Sequence, residues 1–142
     1  MASAELKSVI DSSVIIKWFC EEEDTPKALA LRENYCQGNA EIVFPDLSLY
    51  EVANALRHNK SITENDVKIA VESLIKMNVE IVVPTMDVMK SAINFAFRYN
   101  ITVYDAYFLA LAQTLRFTLI TADESFYTKV KSIPFVTLLK DI

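Results

Sequence analysis

The chain has 142 residues, 52% of them hydrophobic, with a formal net charge of −5. Its single glycine excludes a G-x-G-x-x-G dinucleotide turn, a phosphate-cradling P-loop and a G-x-S-x-G nucleophile elbow. Its single histidine, His58, excludes a two-histidine acid/base site, an H-E-x-x-H zinc helix and a Cys2His2 finger. The acidic balance argues against a general basic coat for nucleic acid and favours a cationic partner or a metal. Carboxylates must therefore carry most of any chemistry.

Cys20 and Cys36 match neither a C-x-x-C redox pair nor a zinc knuckle and are expected to be buried free thiols. Glu5, Lys7 and Asp11 interrupt the start of the chain, so no apolar leader is expected there. The longest fully apolar run, Ala106 to Ala112, is far short of the ~20 residues of a membrane span. A cytoplasmic chain folded as one domain, residues 1–142, is the expectation, because no linker, repeat or low-complexity stretch divides it.

Short apolar runs alternate with helical patterns. Lys7 to Ser12 reads as a buried strand, followed by a short helix from Val14 to Phe19 and the acidic run Glu21 to Asp24. Thr25-Pro26 is expected to cap and open a helix that ends before Gly38. Glu41 to Phe44 is the second strand, and helices are expected at Leu47 to His58 and Glu64 to Met77, the latter opened by a capping box of Thr63 and Asp66. Val79 to Val83 is the third strand. Thr85 caps a helix to Tyr99 with Asn100 as its left-handed stop, and Tyr104 to Arg116 forms a helix apolar on every side, hence buried. Phe117 to Thr121, Glu124 to Lys131 and Phe135 to Leu138 complete the series as strand, helix and strand. Strands separated by helices, with little period-two alternation, imply a parallel sheet covered on both faces.

Four acidic residues stand where polar groups should be rare. Asp11 ends an apolar strand, Asp123 follows another, Asp105 opens the apolar helix, and Glu51 is not on a plainly solvated helix face. In open parallel sheets ligands bind beyond the carboxyl ends of the strands, so the two strand-end aspartates are candidates for one site. Each also has a plain structural reading. Asp11, Asp105 and Asp123 could each cap a helix, with Tyr104 and Leu109 as a staple around Asp105; Thr121 and Glu124 could form a capping box in which Asp123 is incidental; Glu51 could be a surface glutamate. The spacings alone reach only a possible acidic cleft.

The segments Val9-Ile10-Asp11-Ser12-Ser13, Glu51-Val52-Ala53-Asn54-Ala55, Tyr104-Asp105-Ala106 through Ala112, and Thr121-Ala122-Asp123-Glu124-Ser125-Phe126 resemble, in order, the signatures of the PIN-domain family, and within it the VapC-type toxin ribonucleases. The resemblance spans essentially the whole chain. It implies a three-layer α/β/α fold with a five-stranded parallel sheet of order 3-2-1-4-5, placing strands one and four side by side. It further implies that Asp11, Glu51, Asp105 and Asp123 form a catalytic, metal-binding quartet, with Ser13 and Thr121 as supporting hydroxyls. Asp11 and Asp105 would be principal ligands of Mg2+ or Mn2+, Asp123 a direct or water-mediated one, and Glu51 a ligand of a second ion or a positioner of water. Such ligands are hard oxygens, which suit these ions rather than zinc. The implied activity is metal-dependent hydrolysis of RNA phosphodiesters by an endoribonuclease, a homodimeric toxin restrained by a small antitoxin.

Other readings are a PIN nuclease of RNA processing without an antitoxin, a catalytically silent PIN-like binding module, and a receiver domain, which would want paired acids where this chain has Asp11-Ser12-Ser13. Lys17, Arg57, Arg98 and Arg116 are candidate RNA contacts, although each has an ordinary solvated role as its alternative. Phe95, Phe97 and Tyr99 could stack bases, form a dimer face or pack in the core. His58 is expected at the surface.

Overall fold

A computed structural model describes residues 6–142, leaving Glu5 and with it part of the leader expectation outside the described residues. Five strands, β1 (Leu6–Ile10), β2 (Ala40–Pro45), β3 (Glu80–Val82), β4 (Thr118–Thr121) and β5 (Val136–Leu138), form one sheet. Its order is β3-β2-β1-β4-β5 and every pairing is parallel, as the resemblance implies. Between them run α1 (Ser12–Ile16), α2 (Thr25–Cys36), α3 (Leu47–Arg57), α4 (Glu64–Lys76), α5 (Met86–Tyr99), α6 (Val103–Leu115) and α7 (Glu124–Val130), with a final 3-10 turn at Leu139–Asp141. No helix among the described residues is long and apolar enough to cross a membrane.

Strand side chains alternate between faces, and both faces here are apolar. Val9, paired with Val43 and Leu119, faces one core built with α5, α6 and α7. Ile10, paired with Ile120, faces a second core in which Trp18, Leu31, Phe44, Val52 and Leu74 pack from the other layer. Burial on both faces explains why the strands read as continuous apolar runs. Every residue from Ala106 to Ala112 is buried, the environment its all-round apolar pattern requires.

Local chemistry sets several boundaries differently from the sequence expectation. The Asp11 carbonyl accepts N–H bonds from Val14 and Ile15, starting α1 at Ser12 and ending it at Ile16. Thr25 is the first helical residue rather than the cap: its hydroxyl accepts from the Glu22 amide and donates to the Cys20 carbonyl, pinning the acidic loop, while Asp24 takes the preceding position at φ 62°. The Thr63–Asp66 capping box, the Thr85 cap and the left-handed Asn100 stop occur as expected. The cysteines are a correction. Cys36 is exposed because it closes α2 at the surface, and Cys20 is only half-buried, with the Asn59 amide 3.8 Å from its sulfur.

Candidate active site

β1 and β4 are neighbours on which the chain winds away in opposite directions, and the acidic residues gather past their carboxyl ends. The Asp11 amide donates to the Ile120 carbonyl at 2.9 Å, extending the pairing one residue beyond the strand. The Asp11 side chain then meets two hydroxyls, since Ser13 and Thr121 each donate to its Oδ2 at 2.8 Å. Those hydroxyls are themselves held in place. Ser13 Oγ accepts the Ala122 amide at 2.9 Å, and Thr121 Oγ1 accepts the Asp123 amide at 3.1 Å. Ser13 and Thr121 thus lock one carboxylate oxygen of Asp11 while tying β1, α1 and the β4 turn together.

The capping alternatives separate residue by residue. Asp11 sits at the position before α1, but its side chain accepts no backbone N–H of that helix and so does not cap it. Asp105 is not a cap either. Thr102 is, its hydroxyl accepting the Asp105 amide at 3.1 Å, which places Asp105 in the first turn of α6. Asp123 does cap α7, accepting the Phe126 amide through Oδ1 at 3.0 Å, so the reading in which Thr121 and Glu124 made the box is corrected. Glu51 is neither fully buried nor plainly solvated, and accepts a 2.7 Å bond from Ser12 Oγ.

Electrostatics connects the four. Burial pushes the Asp11 carboxyl up to about 6, against the lowering effect of the Thr121 and Ser13 hydroxyls, and the charges of Asp105 and Glu51 push it the same way. Glu51 is raised by burial and by Asp105 in spite of the Ser12 bond. Asp105 is raised by burial and then by Asp123, with Lys129 opposing. Like charges crowded in a poorly solvated place give this pattern, and such carboxylates hold protons or cations in preference to standing bare. Asp105 and Asp123 line a cleft of about 440 Å³ with Asn100, Thr102 and Lys129, and Asp123 also borders a cleft of about 350 Å³ that includes Lys17.

All donors in the cluster are carboxylate and hydroxyl oxygens, a set that fits Mg2+ or Mn2+. Among the described residues no three His, Cys, Asp or Glu side chains already stand as a ready metal-ligand group. The carboxylates share a field rather than a preformed cage.

Of the basic candidates, Lys17 approaches the site but pairs with Glu22 at 3.4 Å. Arg57 lines a groove between α3 and α4, and Arg98 lies over the Tyr99 ring at 5.5 Å. Arg116 ends α6, roughly 16 Å along the helix from Asp105 at 1.5 Å per residue. Phe95 and Tyr99 pack against the core, Phe97 is exposed, and His58 lies at the surface as expected. Sequence reasoning passed over Ser12, Thr102 and Lys129. Thr102 could have been found from its hydroxyl three residues ahead of Asp105 at a helix start; Ser12 and Lys129 carry no local signal, because only the packing of α3 and α7 brings Glu51 to Ser12 and Lys129 to Asp105.

An all-parallel sheet of this order, with acidic residues massed at its winding switch, places the protein in a definite class: the model of the PIN domain matches residues 8–131, and the chain belongs to the PIN-domain family. A relative, Ribonuclease VapC3 of Pyrobaculum aerophilum, is 30% identical over 132 residues, covering 90% of this chain and 98% of that protein. Among solved structures, a toxin-antitoxin complex from Klebsiella pneumoniae superposes with a TM-score of 0.71 at 17% identity, covering 93% of this chain and 97% of that one. VapBC2 from Rickettsia felis, bound to a DNA fragment from its promoter, gives 0.69 at 14% identity over 94% and 97% of the two chains.

Proposed function

We propose that this protein is a Mg2+- or Mn2+-dependent endoribonuclease and the toxin of a toxin-antitoxin pair, acting in the cytoplasm as a single-domain chain. The observation that carries the reading is the shared field of Asp11, Glu51, Asp105 and Asp123 past β1 and β4, with three of the four carboxyls raised by burial and by one another. The ribonuclease name of the relative and the toxin-antitoxin complexes among the structural neighbours support it.

Asp11 and Asp105 would hold the ion, Asp123 would join them through the oxygen not committed to α7, and Glu51 would bind a second ion or place water. When bound, the divalent ion supplies Lewis-acid polarisation of the phosphodiester and offsets charge that builds in the transition state. The chain's own groups prepare that site. Ser13 and Thr121 fix Asp11 Oδ2 and leave Oδ1 to face a ligand, Ser12 orients Glu51, and the Thr102 cap sets the first turn that presents Asp105. Lys129 lines the cleft beside Asp105, where its ammonium can meet a phosphate oxygen.

An antitoxin that presents arginine to this cluster would pair with the carboxylates and exclude the ion. A homodimer is supported by α5, on which Met86, Ile93 and Phe97 are all exposed at helical spacing on one face. Purified protein incubated with total RNA should generate new ends with Mn2+ and none with chelator. Cleavage that persists in chelator, or in Asp11→Asn, would overturn the proposal.

A further inference from the structure

Among the ion pairs of the described residues, Lys17 is the one lysine whose side chain is largely buried: it is 12% exposed, whereas the others are between 50% and 72% exposed. Its backbone is fixed on both sides. The Lys17 amide donates to the Val14 carbonyl at 3.1 Å, and the next residue, Trp18, donates its indole N–H to the Ala28 carbonyl of α2 at 2.8 Å. Lysine is rarely taken out of water unless its charge is answered. Here the answer is slight, because among the described residues the only acceptor for Lys17 Nζ is Glu22 Oε1, at 3.4 Å, in a bond open to solvent. A buried stem with an accessible ammonium holds a charge in one place with most of its rotamer entropy already lost, and two of its three donors are left for another acceptor.

The place of that charge restricts what it can meet. Lys17 lines the cleft of about 350 Å³ that Asp123 also borders, and Asp123 in turn lines the cleft of about 440 Å³ that holds Asp105 and Lys129. Asp123 therefore stands between two clefts with lysine in each. An extended polyanion crossing the carboxylate cluster can bring one negative group to each ammonium, and single-stranded RNA has that repeat. A free anion is disfavoured, because Glu23, Asp24, Asp123 and Glu124 outnumber Lys17 and Lys140 in the cleft, and Lys140 is held by Glu124 at 2.8 Å. A phosphate must be delivered there by a strand held elsewhere, whose tethering raises its local concentration. Glu22 can make way for it. Its amide is pinned to Thr25 Oγ1 at 2.9 Å, but its side chain is 46% exposed, so the carboxylate can leave the ammonium without moving the loop. A pair as open as this one contributes little, and a phosphate can replace it.

We propose that Lys17 binds a phosphate of the RNA strand next to the scissile one, in the cleft across Asp123 from Lys129, and that Glu22 holds this place in the free protein until the strand displaces it. The inference rests on the ribonuclease reading for the identity of the strand, but it concerns binding, which is measured without cleavage.

The test is the affinity of full-length protein in chelator for a short end-labelled single-stranded RNA, read by fluorescence anisotropy over a range of salt. Lys17→Met keeps the volume of the buried stem and removes the charge. It should weaken binding about tenfold and lower the slope of log affinity against log salt by about 0.7. Glu22→Gln should act in the opposite direction, tightening binding about threefold because the ammonium no longer has to be released, and adding Lys17→Met should erase that gain. Lys76→Met and Glu72→Gln break an exposed pair on α4 and report the effect of charge alone, which the effects at Lys17 and Glu22 should exceed. The proposal is overturned if the parent binds no RNA, if Lys17→Met binds it no worse than Lys76→Met, or if Glu22→Gln binds it no tighter than Glu72→Gln. It is equally overturned if inorganic phosphate displaces RNA beyond the effect of chloride at equal ionic strength, for then the cleft is a free-anion site. Should Lys17→Met loosen a copurified antitoxin and leave RNA affinity unchanged, the ammonium belongs to a protein partner and the proposal also falls. If Lys17→Met does not fold, Glu22→Gln decides, since it leaves Lys17 in place. Lys17-dependent binding without cleavage in Mn2+ would uphold the proposal and overturn the ribonuclease reading, and cleavage with binding indifferent to Lys17 would do the reverse.

Discussion

Replacing Asp11 with Asn should make the metal-free protein more stable at neutral pH, which is opposite to the usual effect of altering a buried, hydrogen-bonded residue. The Asp11 carboxyl rises from an ordinary 3.8 to about 6 in the fold. At about 1.4 kcal/mol for each tenfold change, holding it ionised at pH 7 costs the native state about 3 kcal/mol. Asn is nearly isosteric, and its carbonyl oxygen can accept the Ser13 and Thr121 hydroxyls that now donate to Oδ2. Allowing about 1 kcal/mol for imperfect repacking of the amide, the variant should gain about 2 kcal/mol. The sign follows from proton binding. A folded pKa above the unfolded value means that the native state holds the extra proton between pH 4 and 6, so parent stability falls as pH rises through that window and is level above it. Urea unfolding of parent and Asp11→Asn in chelator from pH 4 to 8 measures the gap directly. At the acid end the variant should be the less stable by up to about 1 kcal/mol, and the gap should change sign across the window and stay constant above pH 7. A variant less stable than the parent at pH 7, or a gap independent of pH, would mean that the carboxylate is structural and that the repulsive cluster is not real.

Mn2+ at a hundred times its dissociation constant should stabilise the parent by about 2.7 kcal/mol in thermal melts, and Asp105→Asn should abolish most of that gain. Thr102→Ala removes the α6 cap and should cost about 1 kcal/mol by denaturant titration, with cleavage reduced because the first turn presenting Asp105 loosens. Asp123→Ala should cost a similar amount through the lost α7 cap and also suppress cleavage, whereas Asp123→Asn should keep the cap and still lose cleavage. Thr121→Val leaves Asp11 with one fewer donor and the Asp123 amide without its acceptor, and should destabilise the fold by about 1–3 kcal/mol in urea.

The strand-helix alternation was legible because burial on both sheet faces leaves apolar runs such as Val9-Ile10, and because Thr63, Thr85 and Asn100 announce their own helix ends. The sheet order was not legible from periodicity. It came from the family resemblance, since pairing β1 with both β2 and β4 is decided by contacts distant in sequence. Residue types near apolar segments marked the acidic quartet, yet single spacings could not tell which of its aspartates cap a helix, and the structure decides that alone: Asp123 does, Asp11 and Asp105 do not. Ser12 and Lys129 were hidden for a related reason, as a hydroxyl and a surface lysine acquire their meaning only when α3 and α7 dock. Cys36 misled because burial is a tendency of free cysteine, and a helix end at the surface overrides it.

The central claim is that these carboxylates form one divalent-ion site that cleaves RNA. Calorimetric titration of Mn2+ into parent, Asp11→Asn and Asp105→Asn, with RNA cleavage assayed on the same preparations, tests it most directly. Affinity and cleavage should fall together in both variants while each remains folded. Mn2+ binding unchanged by either substitution, or RNA cleavage that survives the loss of binding, would contradict it.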